Sequence, residues 1–292
     1  MANKVQELFE SVTDRIIASL ERGVAPWSKP WRGGGGMPVN GYTMRPYRGL
    51  LNTFLLSLAG QSFGSNYWCG YGQAIQAGGC VRKGEKATFV LSPLLRKEQG
   101  SDGSENTVCR GFRTAAVFNL RQCDGVAEPQ VESPRGHTPE AAAEKIIAEM
   151  PSRPTIIHGN GIQACYRMLD DSVRIAAPEC FTSGGSYYST LFHELAHSTG
   201  AEKRLGRPGV MQFDRFGSHQ YSQEELVAEM SAAYLMAVAG IENEQEQSAA
   251  YIGSWLKKLK DERGLLLAAA GEANRASRYI AAAYLTEESA PS

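Results

Sequence analysis

The first 20 or so residues place Val5, Leu8, Phe9, Val12, Ile16 and Leu20 at three- and four-residue intervals, the spacing of one apolar face of an α-helix that ends before Gly23. The stretch PWSKPWRGGGGMP then interrupts the pattern, because its prolines and consecutive glycines continue neither a helix nor a central strand. YRGLLNTFLLSLAG resumes a helical apolar run, and GYGQAIQAGG predicts a short helix closing at Gly78 and Gly79. ATFVLSPLL and FRTAAVFNL alternate apolar and polar positions as strands do, with KEQGSDGSEN between them expected as a polar turn or disordered loop. This first part is therefore α+β.

Residues 125–138, GVAEPQVESPRGHT, have no period and carry Pro, Gly, Ser and charge, the composition of a linker. The expected organisation is a first domain over 1–125, a linker over 126–137 and a second domain over 138–292. Thr138 is placed to cap a helix with Pro139 at its first position, AAAEKIIAEM continues that helix, and Pro151 stops it. PTIIHG, QACYRMLDD and SVRIAAP read as short strands, the last two forming a hairpin that turns at Asp170 and Asp171. From there the pattern is helical to the end, so the second domain is expected to be mostly helical with a small antiparallel sheet.

Composition adds limits. With 42% hydrophobic and 21% charged residues over 292 positions, the chain has the make-up of a soluble globular protein, and no apolar run reaches the roughly 20 residues of a membrane span. The opening segment lacks the pattern of a signal peptide. Six scattered cysteines without a Cys-x-x-Cys pair fit free thiols in a reducing bacterial cytoplasm. The net charge of -1 hides a division: residues 1–136 hold 16 Lys and Arg against 11 Asp and Glu, or +5, and the remainder holds 14 against 20, or -6. Only the first half is suited to a polyanion.

The chemistry concentrates in TLFHELAHSTG. His193 and His197 lie four residues apart, so on a helix both imidazoles leave the same face within reach of one ion. In such an H-E-x-x-H arrangement the imidazoles bind a divalent metal, and the glutamate, here Glu194, takes a proton from water and returns it to a leaving amine. A catalytic site of this kind needs a third protein ligand. EELVAEMSAAYLMA supplies carboxylates on a helix, and Glu229 lies beside its apolar side of Leu226, Met230, Ala233 and Ala237. Glu229 is the expected third ligand, with Glu225 as its orienting partner; the spacing also permits the reverse. Two imidazoles and a carboxylate suit zinc by preference and admit manganese.

RIAAPECFTSGGSYYSTLFHELAHSTGAEKRLGR followed by YSQEELVAEMSAAYL resembles the zincin domain of ArdC-type antirestriction proteins of conjugative plasmids. APWSKPW, RPYRGLLN, NYWCGYGQAIQAGGCVRKGEKAT and AVFNLRQCDG are similar to the N-terminal domain of the same family, which is also found joined to plasmid primases. The resemblance implies a first domain that binds single-stranded DNA without sequence specificity, a metallopeptidase-like second domain, and a role in protecting incoming plasmid DNA from host restriction. Single-strand binding needs cations and aromatic faces. Trp27, Trp31, Tyr47 and Trp68, interleaved with Lys29, Arg32, Arg45, Arg48, Arg82, Lys83 and Lys86, provide both, and Asn52 of RPYRGLLN is counted with them. Two other readings fit the same residues. One is a cytoplasmic metalloprotease whose first domain recognises a protein substrate, and the other is a DNA-binding protein whose metal only staples its second domain.

Overall fold

The computed structural model of the chain describes residues 2–23, 37–47, 49–99, 105–129, 138–159, 161–211, 219–241 and 249–287. These fall into two compact units that interleave along the sequence. The first takes the described residues of 1–15, 37–48 and 52–130, and the second those of 16–36, 49–51 and 131–292.

The first unit is built from the N-terminal part of α1 (Ala2–Glu21), β1 (Val39–Asn40), β2 (Arg45–Pro46), α2 (Leu50–Gly60) from Asn52 onward, β3 (Tyr67–Gly70), α3 (Tyr71–Gln76), β4 (Cys80–Val81), β5 (Thr88–Gln99), β6 (Glu105–Asn119) and β7 (Cys123–Asp124). Five strands form one sheet in the order β2-β1-β3-β6-β5, and β4 pairs with β7 in a separate ribbon. β1 runs parallel to β3, and the other neighbours in the large sheet are antiparallel. Leu56 of α2 packs on Trp68, Val90 and Val117, so α2 covers one sheet face. β5 is an edge strand, and the Asn52 amide closes part of that edge by donating to the Leu91 carbonyl and accepting from its N–H, each at 2.8 Å.

β5 and β6 run beyond the ends expected for them. KEQ belongs to β5 and ENT to β6, paired from Lys97↔Thr107 to Gln99↔Glu105. Polar residues are compatible with a two-stranded arm open to solvent, so the change to polar composition does not end the ladder there. Pro93, which cannot donate to a ladder, lies on this edge strand next to a register shift between Pro93 and Leu95.

The second unit adds α4 (Pro139–Ala148), β8 (Thr155–Gly159), β9 (Cys165–Arg167), β10 (Ser172–Ala176), α5 (Gly184–Ser198), α6 (Pro208–Met211), α7 (His219–Ala239), α8 (Ala249–Asp261), α9 (Leu265–Ile280) and α10 (Ala282–Glu287). Thr138 caps α4 by accepting from the Ala141 N–H, with Pro139 in the first turn. The small sheet is mixed rather than antiparallel. β10 is central, pairing antiparallel with β9 and parallel with β8. The expected antiparallel sheet does not form because β9 returns on the far side of β10 from β8. The core gathers Ile146 and Ile147 of α4, Val173 and Ile175 of β10, Leu191, Phe192 and Leu195 of α5, and Leu235 and Met236 of α7. On α5 the buried Leu191, Phe192, Leu195 and Ala196 anchor one side, so His193 and His197 emerge together on the side that meets α7.

Candidate metal centre

α5 begins at Ser183, whose hydroxyl accepts from the Ser186 N–H at 3.1 Å, and this cap fixes where the helix starts and hence which residues face α7. His193 Nε2 and His197 Nε2 lie 3.0 Å apart, with the rings edge to face. Each imidazole turns its other nitrogen to a carboxylate of α7: His193 Nδ1 is 3.4 Å from Glu229, and His197 Nδ1 is 3.3 Å from Glu224. Among the described carboxylates of α7, Glu225 is the one that faces the paired Nε2 atoms, at 3.7 Å from His193 and 3.5 Å from His197. His193, His197 and Glu225 thus offer three donor atoms within 4.8 Å of one another. Glu229, expected as the third ligand with Glu225 as the alternative, stands at His193 Nδ1, a position from which a carboxylate orients an imidazole and fixes its tautomer.

Electrostatics follow from this crowding. Burial pushes the pKa of both imidazoles down, but Glu229 beside His193, and Glu224 and Glu225 beside His197, outweigh it; both are held above the ordinary value, His197 well above. Burial would also raise the Glu224 carboxyl, yet Arg207 and His197 keep it below its usual range. Glu194, Glu224, Glu225 and Glu229 therefore bring four carboxylates together against the guanidinium of Arg207. A poorly solvated excess of negative charge with two imidazole nitrogens turned to its centre suits a divalent cation.

Two supports hold the arrangement. Arg207 is 3% exposed and grips Glu224 at 2.5 and 2.9 Å, while also donating to Thr199 Oγ1 and the Ala196 carbonyl at the end of α5. The chain between them folds back tightly at Gly200, where a Cβ would come within 2.4 Å of the Val210 side chain. Gly200→Ala is expected to cost about 1–3 kcal/mol through this overpacking, read as a lower urea midpoint with unchanged slope. The second support is the β9–β10 turn. Asp171, at φ 48°, accepts from Tyr166 Oη, Lys203 and both terminal nitrogens of Arg204. Burial opposes ionisation of Asp171, but Arg204 and Lys203 hold its carboxyl well below the usual range. So pinned, β9 presents the Tyr166 N–H to Glu194 Oε2 at 2.7 Å. Arg207, Glu224 and Tyr166 do not stand out in the sequence; the one signal it offers is the doubled Glu224-Glu225 at the start of the glutamate-bearing helix.

The other histidines lie elsewhere. His158 on β8 bonds Tyr187 Oη at 2.9 Å, His137 lies outside the described residues, and His219 opens α7. Of the residues expected to meet DNA, Trp27, Lys29, Trp31, Arg32 and Arg48 also lie outside the described residues. Asn52 and Trp68 are buried, at 7% and 0% exposure: Asn52 closes the β5 edge, and Trp68 is core beneath α2, its ring edge to face with Phe63. The Tyr47 hydroxyl accepts from Asn40, and burial pushes its pKa up to about 12. Arg82 is tied to Glu85 and Asp124, whereas Arg45, Lys83 and Lys86 are exposed.

Fold and site together define a zincin-like metallopeptidase domain joined to a separate α+β module. Residues 141–272 match the zincin-like metallopeptidase family model, and residues 6–119 match the N-terminal domain of the anti-restriction factor ArdC. The ArdC antirestriction protein of plasmid R388, solved metal-free, superposes with a TM-score of 0.72 at 33% identity over 93% of this chain and 96% of that one. Its Mn(II)-bound structure gives 0.71 at 34% identity over the same shares. A DNA primase TraC of Escherichia coli is 35% identical over 94% of this chain, which spans only 20% of the primase. The chain belongs to the ArdC antirestriction family.

Proposed function

We propose that the chain is an antirestriction protein of the bacterial cytoplasm. Its first unit binds single-stranded DNA without sequence preference, and its second carries a metal-dependent peptidase-like centre. His193, His197 and Glu225 would hold one divalent ion, with Glu229 and Glu224 orienting the two imidazoles. The observation that carries the metal reading is the pairing of the two Nε2 atoms across from Glu225 while each Nδ1 meets its own carboxylate.

A bound zinc or manganese ion would supply the Lewis acidity that polarises a peptide carbonyl and acidifies water near neutral pH. Glu194 is the general base. The Tyr166 N–H holds one carboxylate oxygen, leaving the other to accept a proton from water and return it to the leaving amine of a protein substrate. Arg207 and Glu224 fix His197 from behind. Cleavage of a candidate protein by wild type but not by metal-loaded Glu194→Gln would support this chemistry; equal cleavage by both would remove Glu194 from it.

For the DNA half, support comes from the family, from the +5 charge of residues 1–136 and from exposed cations. Binding of the full chain to labelled single-stranded and duplex oligonucleotides across a salt series tests it. Single strands should bind tighter, and Lys83→Ala with Lys86→Ala should reduce the salt slope by about 1.4, roughly 0.7 for each phosphate no longer neutralised. Equal affinity for duplex, or binding indifferent to salt, would overturn the reading. Among the described residues no helix is long and apolar enough to cross a membrane.

A further inference from the structure

The large sheet of the first unit has two unlike faces. α2 packs on the face bearing Trp68, Val90 and Val117. The register assigns Phe89, opposite Ala116, and Phe112, opposite Pro93, to the other face, together with Phe118, opposite Cys69. Phe89 and Phe112 are 49% and 46% exposed, and Tyr71, whose ring meets Phe118 edge-on at 6.4 Å, is 57% exposed. Phe112, Thr114, Ala116 and Phe118 follow one another at alternate positions of β6, so by strand rise the Phe112 row stands about 14 Å from the Phe89 row, and the Phe118 row about 7 Å further. Thr114 and Ala116 of β6 and the buried Leu91 of β5 lie between the Phe89 and Phe112 rows.

The charge around them is one-sided. Glu85, Asp124, Glu98 and Glu128 are each engaged by an arginine, Arg82, Arg110 or Arg121. Lys86, three residues before Phe89, is exposed and forms no ion pair among the described residues. Exposed rings with an unpaired lysine beside them bring together the two components that single-stranded nucleic acid uses: rings for bases and a cation for the backbone.

We infer that this sheet face is a stacking platform on which unpaired bases of single-stranded DNA lie against Phe89, Phe112 and Tyr71. The inference rests on the single-strand reading of the first unit and gives it a location. A duplex keeps its bases stacked on each other and cannot use the platform.

The test uses the full chain, a fluorescent 20-nucleotide oligothymidylate as the probe, and the variants Phe89→Leu, Phe112→Leu and Phe112→Trp. Leucine keeps an apolar side chain and removes the ring; because both positions are exposed, melting temperatures should stay near wild type. Each leucine variant should weaken binding about 5- to 150-fold with the salt slope unchanged. Phe112→Trp should retain affinity and show tryptophan quenching, beyond that of wild type, as DNA is added. If wild type binds while the leucine variants bind equally well and the new tryptophan is not quenched, the platform falls and DNA binding stands. If wild type does not bind, both fall. If the leucine variants instead change sedimentation of the DNA-free protein, the face belongs to a second copy of the chain and the inference is overturned.

Discussion

Arg207→Met is expected to destabilise the second unit by about 3–5 kcal/mol, the usual consequence of leaving one member of a buried ion pair without its partner. Arg207 and Glu224 are 3% and 8% exposed, and the guanidinium also satisfies Thr199 and the Ala196 carbonyl. Its loss leaves a desolvated carboxylate answered by His197, while Thr199 Oγ1 and the Ala196 carbonyl keep the bond between them. Urea denaturation measures the effect. Adding Glu224→Leu should recover a large part of it, because an apolar pair in place of an ionic one is often neutral or stabilising. A double variant as unstable as the single would show that the cost lies in the turn at Gly200 and not in the pair.

Glu225→Ala and Glu229→Ala should separate the two carboxylates that one helical turn brings close together. Removing Glu229 takes away the group that orients His193, for which a loss of about 10- to 100-fold in metal affinity is expected. Removing Glu225 takes away the oxygen facing both Nε2 atoms and should cost more. Titration calorimetry with Mn2+ and with Zn2+ reads both. The order of effects is diagnostic, since each variant deletes one α7 carboxylate 13% exposed as a side chain. If Glu229→Ala were the more damaging, the ligand would be Glu229 and the relation of the two residues reversed.

The sequence makes some of this plain and hides the rest for physical reasons. Two histidines four apart on a capped helix must share a face, so their convergence follows from helical period alone. Which of Glu225 and Glu229 joins them does not: both lie toward α5, and the choice is made by the axial offset between two helices, a tertiary quantity with no local signature. Arg207 is invisible because its importance comes from a chain reversal at Gly200 that carries it back to α7. In the first unit, α2 and α3 and the alternation of β5 and β6 can be read directly. The two-residue strands β1, β2, β4 and β7 are too short to show a period. Residue type alone counts Trp68 and Asn52 among the surface groups, yet Trp68 fills the space under α2 and Asn52 closes an edge that would otherwise expose its backbone. The exposed rings at Phe89 and Phe112 sit in strands whose alternation is legible, but alternation does not tell which face a helix will cover.

The central claim is a divalent ion held by His193, His197 and Glu225. Diffraction from crystals of the manganese-loaded protein, with data collected above and below the Mn absorption edge, tests it most directly. A single strong anomalous peak is expected in contact with both Nε2 atoms and the Glu225 carboxylate, with Glu229 and Glu224 remaining on the Nδ1 atoms. A peak bound by Glu229 in place of Glu225, or no peak between the two histidines, would contradict it.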